Sequence, residues 1–96
     1  MPRRATFKFR LYVAGDTQNS ARAVANLNAI CRAHLPQRHE IEVVDVFREP
    51  ERALADGIFM TPTLVKLGPP PKRTIVGTLN QTQPVLQSLG LEMLPA

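Results

Sequence analysis

One cysteine, Cys31, stands in a chain of 96 residues. A lone thiol excludes an intramolecular disulfide framework and a cysteine-rich zinc site, and it fits a reducing compartment. Tryptophan is absent, and there are only one tyrosine and four phenylalanines, which is little material for stacking nucleic-acid bases. Long apolar runs are missing too. None approaches the roughly 20 residues that cross a bilayer, so no membrane association is expected. The first residues, MPRRATFKFR, alternate charged and apolar side chains instead of setting a basic end before an apolar stretch, and this is not the pattern of a secretory signal. A cytoplasmic protein is the expectation.

Charge of one sign is also scarce once its location is considered. The formal net charge is +4. Arg3, Arg4, Lys8 and Arg10 account for it, and residues 11–96 hold eight basic and eight acidic side chains. A nucleic-acid partner calls for a basic stripe on the folded body, so none is expected. The length suits a single domain over 1–96, with a basic N-terminus at 1–6 and a short C-terminal end at 93–96. No repeat interrupts it, and the three-proline tract is its one biased segment.

What is present reads as alternating strands and helices. Phe7, Phe9, Leu11 and Val13 recur with period two against Lys8, Arg10 and Tyr12, which predicts a strand with one core face. The turn cluster AGDTQNS follows, with Gly15 free to take a positive φ and Asp16 or Thr17 placed to cap a helix running to about His34. Val24, Leu27, Cys31 and Leu35 form the helix's inner stripe, flanked by Ala23 and Ile30, and Pro36 lies past its end. EIEVVDVF (40–47) is β-branched, as in a strand covered on both faces and central in a sheet. Pro50 opens a short helix that Gly57 stops. TPTLVKL, the GPPPK connection and RTIVGTL pair as a hairpin. Asn80 is placed to cap a last helix with Pro84 in its first turn and Leu86 and Leu89 inside. The resulting β-α-β-α-β-β-α order is that of a thioredoxin-like α/β (α+β) sheet, because parallel strands need a helical crossover and hairpin strands do not.

Chemistry is hard to find along this frame. In a thioredoxin-like domain the reactive thiols sit where the first strand meets its helix, because the helix N-terminus stabilises a thiolate. Here that loop reads GDTQNS, and Cys31 lies about three turns further on, on the core stripe. Ser20 is a nearby hydroxyl, and helix capping accounts for it together with Thr17 and Asn19. Thr61-Pro62 stands where such folds often hold a cis peptide. His34 and His39 do not share a helical face and have no third ligand, so no metal is expected. No Gly-rich phosphate loop or Ser-His-Asp pattern occurs. The chain reads as a non-enzyme with no cofactor, the less favoured alternative being a degenerate thioredoxin or glutathione-transferase-like activity at Ser20 or Cys31.

Three blocks, LYVAGDTQNSARAVANLNAI, EVVDVFREPERA and TPTLVKLGPPPKRTIVG, resemble the KaiB circadian clock proteins over about residues 7–92. The resemblance implies a non-enzymatic regulator that binds the ATPase ring of a KaiC-like protein and, in a complete clock, acts with a KaiA-like activator. It also implies self-association when free, as a dimer or tetramer, and two folds. One is thioredoxin-like; the other is a ground-state βαββααβ-type arrangement with a different C-terminal half over residues 50–92. Position by position, Arg22, Lys66 and Arg73 match cations associated with partner binding or assembly, while Pro62, Gly15 and Cys31 are structural. Gly57 stands where a basic residue is common, Glu40 and Glu42 make the second strand more acidic, and the acidic tail is missing. Such changes bear on partner identity. A thioredoxin-like adaptor or stress-response module with another partner is the competing expectation.

Overall fold

The computed structural model describes residues 6–91, and the expectations for residues 1–5 and 92–96 lie outside the described residues. The elements run β1 (Phe7–Val13), α1 (Gln18–His34), β2 (His39–Asp45), α2 (Pro50–Ala55), β3 (Thr63–Gly68), β4 (Arg73–Val76) and α3 (Thr82–Leu89). This is the thioredoxin-like order. The hairpin predicted for the second half is present, so the structure does not carry the alternative C-terminal arrangement.

The sheet order is β2-β1-β3-β4. β1 and β2 are parallel, with Phe9 opposite Ile41 and Leu11 opposite Val43. β3 runs antiparallel to β1, placing Leu64 opposite Leu11, and β4 closes the hairpin with Ile75 opposite Leu64. The crossover through α1 is what allows the parallel pair. The strand over 39–45 is therefore an edge strand, not the central one its β-branched run suggested. Only Val44 of its seven residues is buried. β-branching reports a preference for pleated backbone, and says little about which faces are covered.

The period-two face of β1 builds the main core. Phe7, Phe9, Leu11 and Val13 pack with Ala23, Leu27, Ile30, Cys31 and Leu35 of the α1 segment and with Val85, Leu86 and Leu89 of α3. Each fully buried large aliphatic side chain contributes about 1.5–3 kcal/mol. Val24, expected on the inner stripe, is only half-buried. Tyr12, expected to point away from the core, is fully buried on the opposite face with Val44, Val65, Ala53 and Ile58. That face carries the six-residue α2, too short to cover it all, so a small second core forms beneath the helix alone.

The helix ends follow local chemistry. Thr17 caps α1 by accepting the Ser20 amide, and Arg32 and His34 occupy its last turn, where positive charge favours the helix dipole. Pro50 opens α2 at its first helical positions. α3 is capped by Gln81, one residue past the expected Asn80, and without a side-chain bond. Its end is firmer. Gly90 takes φ +74, and the amides of Gly90 and Leu91 reach back to the Gln87 and Leu86 carbonyls at 3.1 and 2.7 Å, a Schellman-type stop for which glycine has no Cβ penalty. The Thr61-Pro62, Gly68-Pro69 and Pro70-Pro71 peptides are cis. No described helix is long and apolar enough to cross a membrane.

Candidate partner-binding surface

The loop after β1 is tied down by its own hydrogen bonds. Gly15 holds φ +57 with the Phe47 ring 3.5 Å from where a Cβ would sit. The Asp45 carboxylate accepts both the Gly15 amide at 3.2 Å and the Phe47 amide at 2.9 Å, joining the loop to the segment after β2. Ser20 is buried, and its Oγ accepts the Ala14 amide at 3.0 Å and the Thr17 hydroxyl at 2.7 Å. Both its lone pairs are thereby engaged, which suits a structural hydroxyl. Cys31 is a free thiol with no solvent exposure, and burial pushes its pKa up to about 11. A thiol held neutral in the core is a poor nucleophile. His39 directs Nδ1 to the Leu35 carbonyl at 2.8 Å, and no metal-holding group of three His, Cys, Asp or Glu occurs among the described residues.

Where the loop lacks chemistry, the neighbouring surface is rich in apolar area. α2 ends at Ala55, Ile58 turns back into the second core, and its amide bonds the Ala53 carbonyl at 2.8 Å. The chain then runs outward through Phe59 and Met60 before β3 begins. Phe59 is 89% exposed, Phe47 and Leu54 are 73%, and Met60 is 63%. Two shallow hollows flank Phe59 and Met60. One, about 220 Å³, is bordered by Ala14, Phe47 and Thr61, and the other, about 150 Å³, by Gly57, Thr74 and Val76. Pro62, buried at the base of this ridge, leads into β3. Thr63 Oγ1 donates to the Met60 carbonyl. The ridge thus follows from the brevity of α2. Isolated apolar side chains are ordinary on surfaces, whereas contiguous exposed apolar groups are the ones that need an explanation.

Arg73 is exposed at the start of β4, next to exposed Lys72, and Arg22 is exposed on α1. Lys66 is the register partner of Arg73, yet it is only 4% exposed. Its Nζ donates to the Leu89 carbonyl at 3.2 Å and stands 5.6 Å from the centroid of the Phe7 ring. In this conformation Lys66 faces α3 and is not presented to a partner. The signal for this was the alternation of TLVKL, which puts Lys66 on the same sheet face as Leu64 of the main core.

A charged network borders the second core. Arg10 Nε meets Glu42 Oε1 at 3.0 Å and its Nη1 meets Asp56 Oδ2 at 3.0 Å. Arg52 reaches Glu42 at 2.8 Å and Glu49 at 3.2 Å, and the Tyr12 hydroxyl donates to Asp56 Oδ2. Hydrogen bonds from Arg52 and then Arg10 hold Glu42 down to about 2, while the Tyr12 bond and then Arg10 lower Asp56. Burial and then the Asp56 bond raise Tyr12. Asp56 lies 46 residues from Arg10, and the sequence offers no spacing by which to pair them. Beyond this network, between α1 and the β2 edge, Val24, Val43, Asp16, Asp45 and Glu49 border an open groove of about 680 Å³.

A family model described as the KaiB domain matches residues 10–91. The circadian clock protein KaiB3 of Synechocystis sp. is 41% identical over 86 residues, 90% of this chain and 82% of that one. The circadian clock oscillator protein KaiB of Thermostichus vulcanus is 43% identical over 93 residues, 97% of this chain and 84% of that one. Among solved structures, the N-terminal domain of Synechococcus elongatus SasA aligns over 100% of this chain and 94% of its own, with a TM-score of 0.74 at 20% identity. Fasciola hepatica thioredoxin aligns over 93% and 84%, with a TM-score of 0.71 at 16% identity. At such identities the last two show a common fold and nothing of activity.

Proposed function

Because this chain belongs to the KaiB family of circadian clock proteins, we propose that it binds the ATPase ring of a KaiC-like protein and modulates its phosphorylation and ATPase cycle. The family is one of clock regulators and not of enzymes; the thioredoxin likeness is one of fold alone.

The observation that carries the proposal is the exposed group of Phe47, Phe59 and Met60 around one hollow. Protein interfaces draw most of their binding energy from a few apolar and aromatic anchors that are dry in the complex. Lys72 and Arg73 supply a basic rim that would steer an acidic patch of the partner, and Arg22 offers a second cationic contact from α1. The same apolar surface suits self-association of the free protein as a dimer or tetramer, and a KaiA-like activator would join in a complete clock. The test is size-exclusion chromatography with a KaiC-like ATPase from the same organism, with and without ATP. A nucleotide-dependent shared peak is expected, with an altered rate of ATP hydrolysis. No complex with any such ATPase would overturn the proposal.

A second reading is favoured by the full-length alignment with the SasA domain: a thioredoxin-like adaptor that docks on a partner, in stress response or clock output, without changing its chemistry. In that case the complex forms but the ATPase rate and phosphorylation stay as they were.

A further inference from the structure

β4 is the outer strand of the sheet on the side away from β2, and it is bonded to β3 alone. Its register puts Val76 opposite Thr63 and Arg73 opposite Lys66, and the Gly77 amide carries the ladder one step further, to the Pro62 carbonyl at 2.9 Å. Backbone groups of an antiparallel strand alternate between its two sides. Gly77, Ile75 and Arg73 therefore bond inward to β3, while Thr74 and Val76 turn their N–H and C=O outward. No other backbone group among the described residues reaches them. Both residues are exposed, Val76 at 53%. A hollow lies on each face of this edge. On the α3 face, Ile75, Leu79, Pro84 and Val85 border about 200 Å³, and on the other, Phe59, Met60, Thr74 and Val76 border about 150 Å³. The stretch is also free of acids. Residues 57–91 contain no Asp or Glu but hold Lys66, Lys72 and Arg73, of which Lys72 and Arg73 are exposed at the start of β4. Asp56, the acid that precedes this stretch in the chain, is engaged by Tyr12 and Arg10.

We propose that β4 is a docking edge that takes an extended segment of a partner protein as an added antiparallel strand, the segment being apolar at alternate positions and acidic at the C-terminal end that passes Arg73 and Lys72. Side chains of an extended chain alternate between the two faces, so successive side chains of the segment enter one hollow and then the other. The outward groups of Thr74 and Val76 supply the main-chain bonds, and the hollows supply the selectivity, as in other cases of strand addition to a sheet edge. A strand as short as β4 resists indiscriminate pairing, which leaves the side-chain fit to decide what binds. Charge decides between occupants: a second copy would bring the same acid-free stretch against itself, whereas an acidic segment is attracted to it. The inference does not depend on the ATPase reading, and its test uses the free protein.

The probe is a short synthetic peptide of alternating valine and threonine that ends in glutamates, titrated into the full chain and followed by nuclear magnetic resonance of the backbone amides. Saturable shift changes are expected at Thr74, Val76 and the borders of the two hollows, and hydrogen exchange of the Thr74 and Val76 amides should slow by roughly fivefold or more. Lysines in place of the glutamates should weaken binding about tenfold at low ionic strength, where charge is least screened. Two further peptides carry N-methyl groups on alternate amides, offset from each other by one residue. Only every second amide of an added strand faces the edge, so one of these peptides should lose binding and the other keep it. Thr74→Pro removes an outward N–H at an edge, where proline is tolerated, and should abolish binding; the methylated peptides test the same bonds with the protein unaltered. Equal behaviour of the two methylated peptides, shift changes centred on β2 or no saturable binding would overturn the proposal. Concentration-dependent shifts at Thr74 and Val76 without peptide would assign the edge to a second copy and overturn it as well.

Discussion

Removing the hydroxyl of Tyr12 should destabilise the fold well beyond what loss of one oxygen suggests. Tyr12 is fully buried, and its hydroxyl donates to Asp56 Oδ2, with the Arg52 carbonyl 3.2 Å away. Asp56 also accepts from Arg10 Nη1 at 3.0 Å, and its side chain is 17% exposed. Hydrogen bonds to a charged group contribute about 1.5–3 kcal/mol net, and neutral ones about 1. Tyr12→Phe leaves no unpaired group on the ring, so a cost of about 1.5–2 kcal/mol is expected, a fall in Tm of roughly 6–16 °C for a domain of this size. Asp56→Asn removes the charge seen by both Tyr12 and Arg10 and should cost about 1.5–3 kcal/mol. Because the two residues share one bond, the double variant should cost less than the sum by about 1 kcal/mol.

Asp56 has a folded pKa below its ordinary 3.8, so its stabilisation is complete above that value and is lost as pH falls through the folded pKa. Glu42, held at about 2 against 4.5, acts in the same direction over the interval between those values. Its side chain is 48% exposed, so screening leaves it about 0–1 kcal/mol. Urea denaturation between pH 7 and pH 2 measures both effects. The wild type should lose stability below about pH 4, and Asp56→Asn should show a shallower loss there. A Tyr12→Phe cost under about 0.5 kcal/mol, or strict additivity of the double variant, would refute the argument that this network holds α2 to the sheet.

Leu27→Ala, at a fully buried position between α1 and β1, should lower stability by about 2–5 kcal/mol in the same assay, through lost transfer energy and the cavity left behind. Phe59→Ala should weaken binding to the proposed ATPase partner by roughly tenfold or more while leaving Tm within a few degrees, since a ring 89% exposed has little to lose on folding and much to gain at an interface. Cys31 should stay unreactive toward a thiol probe at neutral pH until denaturant unfolds the chain, as its burial and pKa of about 11 require; prompt labelling of the native protein would contradict the packing of α1.

How far the sequence carried these conclusions depends on the range of the interaction involved. The strand at 7–13 and the hairpin of β3 and β4 rest on local periodicity and turn chemistry and were readable, and the α1 cap was narrowed to Asp16 or Thr17, of which the structure uses Thr17. Burial on the second face was not readable, because it depends on where α2 lands. Tyr12 has the same alternation as Lys8 and Arg10, and only the docked helix separates it from them. The edge position of β2 was hidden for the same reason: a β-branched run looks the same at an edge as in the middle. Among the candidate site residues, Arg22 and Arg73 are exposed as a surface role needs. Lys66 was read through its motif when its alternation with Leu64 already placed it inward. The ridge at Phe59 and Met60 was missed, because exposed apolar residues next to a strand cannot be told from core residues without coordinates.

Burial on the second face and the ridge have one origin in the length of α2. Six residues make fewer than two helical turns, enough to seal Tyr12, Val44 and Val65 but not the whole sheet face. Toward β2, the uncovered border is closed by charge: Arg10, Glu42, Arg52 and Asp56 satisfy one another there, which makes that side a poor site for an apolar partner. Toward β3 and β4 no such network forms among the described residues, and the chain fills the gap with Phe59, Met60 and Val76 facing outward. The division has a mechanical consequence. Ionic pairs fix α2 in place and so fix the loop that carries the ridge, which means that Asp56→Asn should weaken partner binding as well as stability, although Asp56 itself need touch no partner. Binding by this variant measured at neutral pH, well below its unfolding temperature, separates the two effects: an unchanged Kd would show that the ridge is positioned by Ile58 and the start of β3 alone.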